Sequence, residues 1–153
     1  LPVKPARHPA DIRDVFAWYD SYSIGVPHVD AQHQQLFAIA EKLFRAVSEG
    51  QAHFVVAQAL LQLDAYASTH SADEERIMRS CGYPDYERHK TEHARFSLDV
   101  QQLSRDFDAG RVAPTIQMLQ SFKDWLVRHI TVEDRRIAVF VRAAGVAGHA
   151  AGR

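Results

Sequence analysis

Two pairs of residues in this chain stand at the spacing that turns a helix into a metal clamp: His70 with Glu74, and His89 with His93. Residues four apart on an α-helix share one face about one turn apart, so each pair aims two donor groups the same way. Imidazole and carboxylate together suit iron, zinc or manganese. His33 and His129 fall on further apolar stripes, and His129 is followed closely by the acids Glu133 and Asp134. A lone histidine such as His33 on an apolar stripe is more often a hydrogen-bonded core residue than a ligand. The clamps resist that explanation, because burying several imidazoles without partners is costly. The remaining histidines, His8, His28, His53 and His149, fall in an arm, at a helix start or in a tail and read as solvated.

The elements that must position these groups are amphipathic helices. Asp30 reads as the N-cap of a first helix whose apolar positions Leu36, Ala40, Leu43 and Val47 recur at helical spacing until Gly50, with His33 on the same stripe. A second helix, about 53 to 79, carries the seam Val56, Leu60, Leu63, Ala67, His70, Glu74 and Ile77. Cys81-Gly82-Tyr83-Pro84 makes the next turn, and a third helix runs to about Asp108 with Tyr86, His89, His93, Phe96, Val100, Leu103 and Phe107 inward. After a turn between Gly110 and Pro114, the fourth helix presents Leu119, Phe122, Leu126 and His129. Its apolar register then resumes at Ile137 and Val141, one residue out of step, which predicts a local widening or break.

Residues 1–29, with Pro2, Pro5, Pro9, Gly25 and Pro27, read as an irregular N-terminal arm anchored by Trp18, Tyr19 and Tyr22. Residues 143–153 read as a frayed tail. Short links and the absence of any strand pattern predict an all-α fold: an antiparallel up-down-up-down four-helix bundle over 30–142, in a single domain spanning 1–153. Each of its four helices then offers metal-competent groups from what should be its dry face.

Composition narrows the function classes. With 18 basic against 19 acidic residues, nothing in the net charge points to nucleic acid or to an anionic membrane. No run approaches the length of a transmembrane helix, and the start of the chain lacks the apolar centre of a signal peptide. The single cysteine, Cys81, excludes an internal disulfide framework and fits a reducing compartment, so a cytoplasmic setting is expected.

Several local patterns together resemble the hemerythrins, and in particular their bacterial members, over nearly the whole chain. They are Trp18 followed by Ser23-Ile24-Gly25-Val26 and Asp30-Ala31-Gln32-His33; His70-Ser71-Ala72-Asp73-Glu74-Glu75; Gly82-Tyr83-Pro84; His89-Lys90-Thr91-Glu92-His93; and Trp125-Leu126-Val127-Arg128-His129-Ile130 with Asp134. The resemblance implies a non-haem di-iron centre, oxo- or hydroxo-bridged and cycling between Fe2+ and Fe3+, that binds dioxygen reversibly. It implies that His89, His93 and His129 hold one iron, that His33 and His70 hold the other, and that Glu74 and Asp134 bridge them. Regular helical spacing after His129 favours Glu133; the resemblance selects Asp134, and the shifted register of Ile137 and Val141 agrees with it.

With that ligand set, five imidazoles, two bridging carboxylates and one oxygen bridge fill about eleven of the twelve positions of two octahedral irons. The open position falls on the iron with two histidines. By position, Leu36, Trp125, Leu126 and Ile130 line that open site and keep water out, while also serving as ordinary core. Ser71 stands where the family commonly has phenylalanine, an exchange expected to admit water or anions.

The chain contains no Glu-x-x-His pair of the kind that typifies carboxylate-rich di-iron oxygenases, so binding is expected rather than catalysis, with at most minor peroxidase-like or oxidase activity. Three roles fit: an oxygen carrier or store, an oxygen or redox sensor module of a larger signalling protein, and a scavenger of peroxide or nitric oxide. The start at Leu1 rather than methionine is what a processed chain or a piece of a longer one would show, and with the long N-terminal arm it tilts modestly toward a sensor, while single-domain bacterial members of the family fit a carrier equally well. Outside the family, the alternatives are a zinc site and a metal-free bundle with buried histidines.

Overall fold

In the computed structural model, which describes residues 15–150, helix α1 spans Pro27–Ser48 and so begins before Asp30. Pro27 suits the first helical position because the N–H it lacks has no intrahelical partner there. Asp30 is therefore not the N-cap. It sits in the first turn and reaches back: Oδ1 accepts from the Ile24 N–H at 2.7 Å and Oδ2 from the Gly25 N–H at 3.1 Å. An acid in this position fastens the arm to the helix in the manner of the acidic member of a capping box.

Helix α2 spans His53–Cys81 and ends at Gly82, whose φ of 66° is the left-handed conformation that glycine adopts without a side-chain clash. The Tyr83 N–H returns to the Met78 carbonyl at 2.9 Å, closing the helix end. Helix α3 spans Tyr86–Asp108, and α4 spans Ile116–Arg128, capped by the Thr115 hydroxyl, which accepts from the Met118 N–H at 3.1 Å. The rod does not stop at Arg128. It passes through a π-helical segment, His129–Asp134, and continues as α5, Arg135–Ala150. The widening expected from the shifted apolar register is this segment.

The residues from Ala143, expected to fray, are helical to Ala150. The stretch contains Ala143, Ala144, Ala147 and Ala150, and alanine has the strongest helix preference of all residues. Residues 1–14, with His8 and three of the arm's prolines, and residues 151–153 lie outside the described residues, as do the side chains of 146–150, His149 among them.

The rods form a four-helix bundle in which α1 packs on α2, α2 on α3, and α4 and α5 on α1 and α2 respectively; no strand occurs among the described residues. Its main apolar core joins Leu36, Phe37, Leu43 and Phe44 of α1 to Leu60 and Leu63 of α2, Val100 of α3 and Leu119 and Leu126 of α4. A smaller apolar group of Met78, Tyr83 and Ile137 closes the opposite end. On α2 it is Met78, wholly buried, and not Ile77 that continues the inner row after Glu74.

The arm is pinned by aromatic rings. Phe16 is buried against Phe37, Phe44 and Phe122, and Trp18 and Tyr22 pack on Phe37. Tyr19 is 52% exposed and contributes little beyond an edge contact with Tyr22. One 3-10 turn, Asp20–Tyr22, links these anchors to α1. Because Asp30 supplies both acceptors at this junction, Asp30→Ala is expected to lower stability by about 1–2 kcal/mol, read from the denaturant midpoint at unchanged slope.

Candidate metal centre

All seven residues singled out from the sequence converge between the two apolar ends of the bundle. His33, Glu74, His89 and Asp134 are at most 1% exposed, and His70, His93 and His129 at most 6%. Their donor atoms fall into two overlapping groups. Glu74, His89, His93, His129 and Asp134 form one; His33, His70, Glu74 and Asp134 form the other, with the two carboxylates common to both.

The distances between donors carry the chemistry. His89 Nε2 stands 3.1 Å from both Glu74 Oε2 and Asp134 Oδ1, His93 Nε2 is 3.0 Å from Glu74 Oε2, and His129 Nε2 is 3.1 Å from Asp134 Oδ1. His33 Nε2 is 2.9 Å from Asp134 Oδ2, while His70 Nε2 and Glu74 Oε2 are 3.8 Å apart. Despite these short separations, His33 Nε2, His93 Nε2, His129 Nε2 and both Asp134 oxygens lack a well-directed hydrogen bond. Lone pairs that crowd together without pointing at each other are aimed at a common point. Donors about 2.1 Å from a first-row ion and at right angles to one another stand about 3.0 Å apart, which is the spacing seen here.

Electrostatics fit a cation as well. Burial pushes the Asp134 carboxyl up, but His129, His33 and His89 around it hold it well below the usual carboxylate range. Burial and the charge of Asp134 oppose ionisation of Glu74, yet His89 and His93 keep it low too. On the other side of the balance, burial pulls His89 down while Asp134 and Glu74 overcome it and raise it to about 10; His129 is raised in the same way by Asp134. At His70 burial wins over the attraction of Glu74, and the imidazole is lowered to about 4. The two carboxylates thus draw positive charge into the bundle, and a metal ion bound there would take the place of the protons that otherwise supply it.

Three of the five imidazoles are oriented by a partner at the other ring nitrogen. His70 Nδ1 donates to Gln32 Oε1 at 2.8 Å, His93 Nδ1 to Glu75 Oε1 at 3.2 Å and His129 Nδ1 to Glu92 Oε2 at 3.2 Å. A proton held at Nδ1 leaves the Nε2 lone pair free and facing inward, the arrangement of metal-binding histidines. Gln32 is itself held, donating from Nε2 to Asp73 Oδ2 at 2.7 Å. Arg88 bridges Glu92 at 3.2 Å and Glu133 at 2.8 Å, tying α3 to the π segment.

The π segment decides between the two acids. An i→i+5 turn accommodates an extra residue, so the residue five after His129 returns to the inner face. Asp134 is wholly buried, whereas Glu133 turns outward to Arg88 and Arg136.

A cavity of about 20 Å³, room for a single water-sized molecule, borders His33, His70, His93, His129 and Asp134. Leu36, Ser71, Trp125, Leu126 and Ile130 all line it, together with Ala67, Phe96 and Phe122, which the sequence seam had marked only as core. Leu36, Leu126 and Ile130 are buried, while Trp125, 37% exposed, stacks between Phe96 at 5.0 Å and His129 at 4.9 Å.

Comparison with known proteins agrees with this geometry. The hemerythrin HHE cation-binding domain matches residues 24–140. The chain belongs to the hemerythrin family. Bacteriohemerythrin of Clostridium acetobutylicum is 27% identical over 125 residues, covering 79% of this chain and 97% of that protein. Bacteriohemerythrin of Pseudomonas aeruginosa is 30% identical over 118 residues, 76% of this chain and 75% of its own. Myohemerythrin of Riftia pachyptila is 30% identical over 120 residues, 78% of this chain and 88% of its own. A crystal structure of wild-type hemerythrin superposes with a TM-score of 0.77 at 27% identity, covering 82% of this chain and 96% of the other.

The sequence reading assigned no role to Gln32, Glu75 or Glu92. Each is the chain neighbour of a candidate ligand, about 100° round its helix, and so lies toward the adjoining rod; that offset was the available signal. Gln32→Leu removes the acceptor that orients His70 and is expected to weaken metal binding about 10–100-fold, measured by competition with a chelator, without loss of helical content.

Proposed function

We propose that this hemerythrin-family protein binds dioxygen reversibly at a di-iron centre. His89, His93 and His129 hold one iron, His33 and His70 the other, and Glu74 and Asp134 bridge the pair. The observation that carries this reading is the inequality of the two donor groups: they share both carboxylates, but one has three imidazoles and the other two. The poorer group leaves room for a ligand from outside, and the 20 Å³ cavity borders both of its histidines, His33 and His70, along with His93 and His129 of the other group. When bound, two ferrous ions supply the electrons through which dioxygen is held and then released.

The protein's own residues make that exchange reversible by position and by dryness. Gln32, Glu75 and Glu92 keep three imidazoles in a single tautomer and orientation. Leu36 on α1 and Leu126 and Ile130 on the fourth rod keep water out, and the Trp125 ring shields His129. Ser71 is the polar exception in this wall: half-buried, it lets water or anions approach from α2.

A binding protein is favoured over an enzyme, with peroxidase-like or oxidase turnover at most minor. A cytoplasmic protein with Cys81 reduced suits a single half-buried thiol. No helix of the described residues is long and apolar enough to cross a membrane. Use of the site as the sensor of a larger signalling protein has one observation in its favour. Arg135, the chain neighbour of Asp134, donates to the Ser21 carbonyl at 2.8 Å, and Arg142 donates to the Ile24 carbonyl, so the rod that bears the bridge also grips the arm.

Protein prepared with iron should contain roughly two irons per chain, and its optical spectrum should switch reversibly between anaerobic reduced and air-equilibrated forms. A single zinc, or no metal from iron-supplied cells, would sink the reading. Ser71→Phe should slow spontaneous oxidation of the oxygenated protein, followed as decay of its spectrum; an unchanged rate would remove Ser71 as the route for water.

A further inference from the structure

A second cavity, about 420 Å³, opens between α3 and α4. Its floor is made by Leu43 of α1 and Leu60 and Leu63 of α2, each at most 2% exposed, so it is cut into the core and is not a dimple in the surface. It exists because α3 and α4 do not appose closely. They meet instead through rings, Phe96 stacking on Phe122 at 5.2 Å and on Trp125 at 5.0 Å. These three rings line both this cavity and the 20 Å³ cavity beside the metal centre, and so form the partition between them.

Water does not suit the floor of this space: a held water needs two to four polar partners, and the leucines offer none. The volume falls in the range of small-molecule sites, about 300–1,000 Å³. At the mouth, Arg95 and Asp99 bring opposite charges one helical turn apart, and Glu92 is already engaged by Arg88 and His129. Such a mouth selects neither anion nor cation. Three aromatic walls favour a ring, which gains offset or edge-to-face contacts beyond its apolar burial.

We propose that the α3/α4 cavity is a binding site for a neutral aromatic molecule of indole size or larger. Its occupant lies against the Phe96–Phe122–Trp125 partition. One consequence rests on the dioxygen reading above: an occupied cavity stiffens that partition and slows gas exchange at the centre.

Titration calorimetry with indole, run on iron-loaded and on metal-free protein, tests the site. One indole per chain is expected, with a negative heat-capacity change and with binding weakened about tenfold or more in Ser121→Trp, whose side chain fills the mouth from an exposed position of α4. Leu103→Phe, narrowing the cavity from α3, should act in the same direction, circular dichroism confirming that each variant is folded. The proposal is overturned by no saturable binding up to the solubility of indole, by unweakened binding in both variants, or by sedimentation showing that a second copy covers the cavity. Indole binding to a protein that takes up no iron would overturn the dioxygen reading and leave this site standing; iron loading without indole binding would do the reverse.

Discussion

Two carboxylates with almost no exposure to solvent, Glu74 and Asp134, sit at the middle of a helical bundle, and the rest of the structure is arranged around their charge. An unpaired buried carboxylate is among the least favourable groups a protein can hold. Here each is surrounded by imidazoles drawn from all four rods, and the resulting polar layer is a mutual obligation: no rod can slide or rotate without stranding a partner. The apolar core on one side and the Met78–Tyr83–Ile137 group on the other seal the layer from both ends.

Convergence alone would not make a metal site, because an imidazole can also satisfy a carboxylate with a proton. The distinction lies in direction. Gln32, Glu75 and Glu92 take the Nδ1 protons of three histidines, which turns the Nε2 lone pairs inward onto a shared point. The layer is therefore held in a form ready for a cation, with three imidazoles in one donor group and two in the other around shared carboxylates. The small cavity beside it is walled by Leu36, Leu126 and Ile130, which serve the core as well, so packing and site draw on the same side chains.

The fourth rod shows how a backbone irregularity becomes functional. Without the π segment, Glu133 would take the inner position and Asp134 would turn away from it. With the segment, Asp134 is buried and Glu133 joins Arg88 in a surface network that reaches Glu92 and, through it, His129. Beyond Asp134 the same rod holds the arm through Arg135 and Arg142, so Asp134, the π segment and the grip on the arm lie in sequence along one rod.

The four amphipathic seams, the two four-residue clamps and the slipped register after His129 were legible in the chain, because helical period is a local property that residue spacing expresses directly. The helix start was misread at Asp30, since an acid that caps from inside the first turn looks the same in sequence as one that caps from outside. The alanine-rich stretch to Ala150 was misread for a related reason: glycines at 145 and 148 suggested fraying, and the alanines around them prevailed. What the sequence determined by itself was the identity and spacing of the donor groups on each helix. Tertiary structure alone decided which nitrogen of each imidazole faces inward, which rods stand close and which stand apart, and hence where the two cavities lie, because those depend on contacts between residues far apart in the chain.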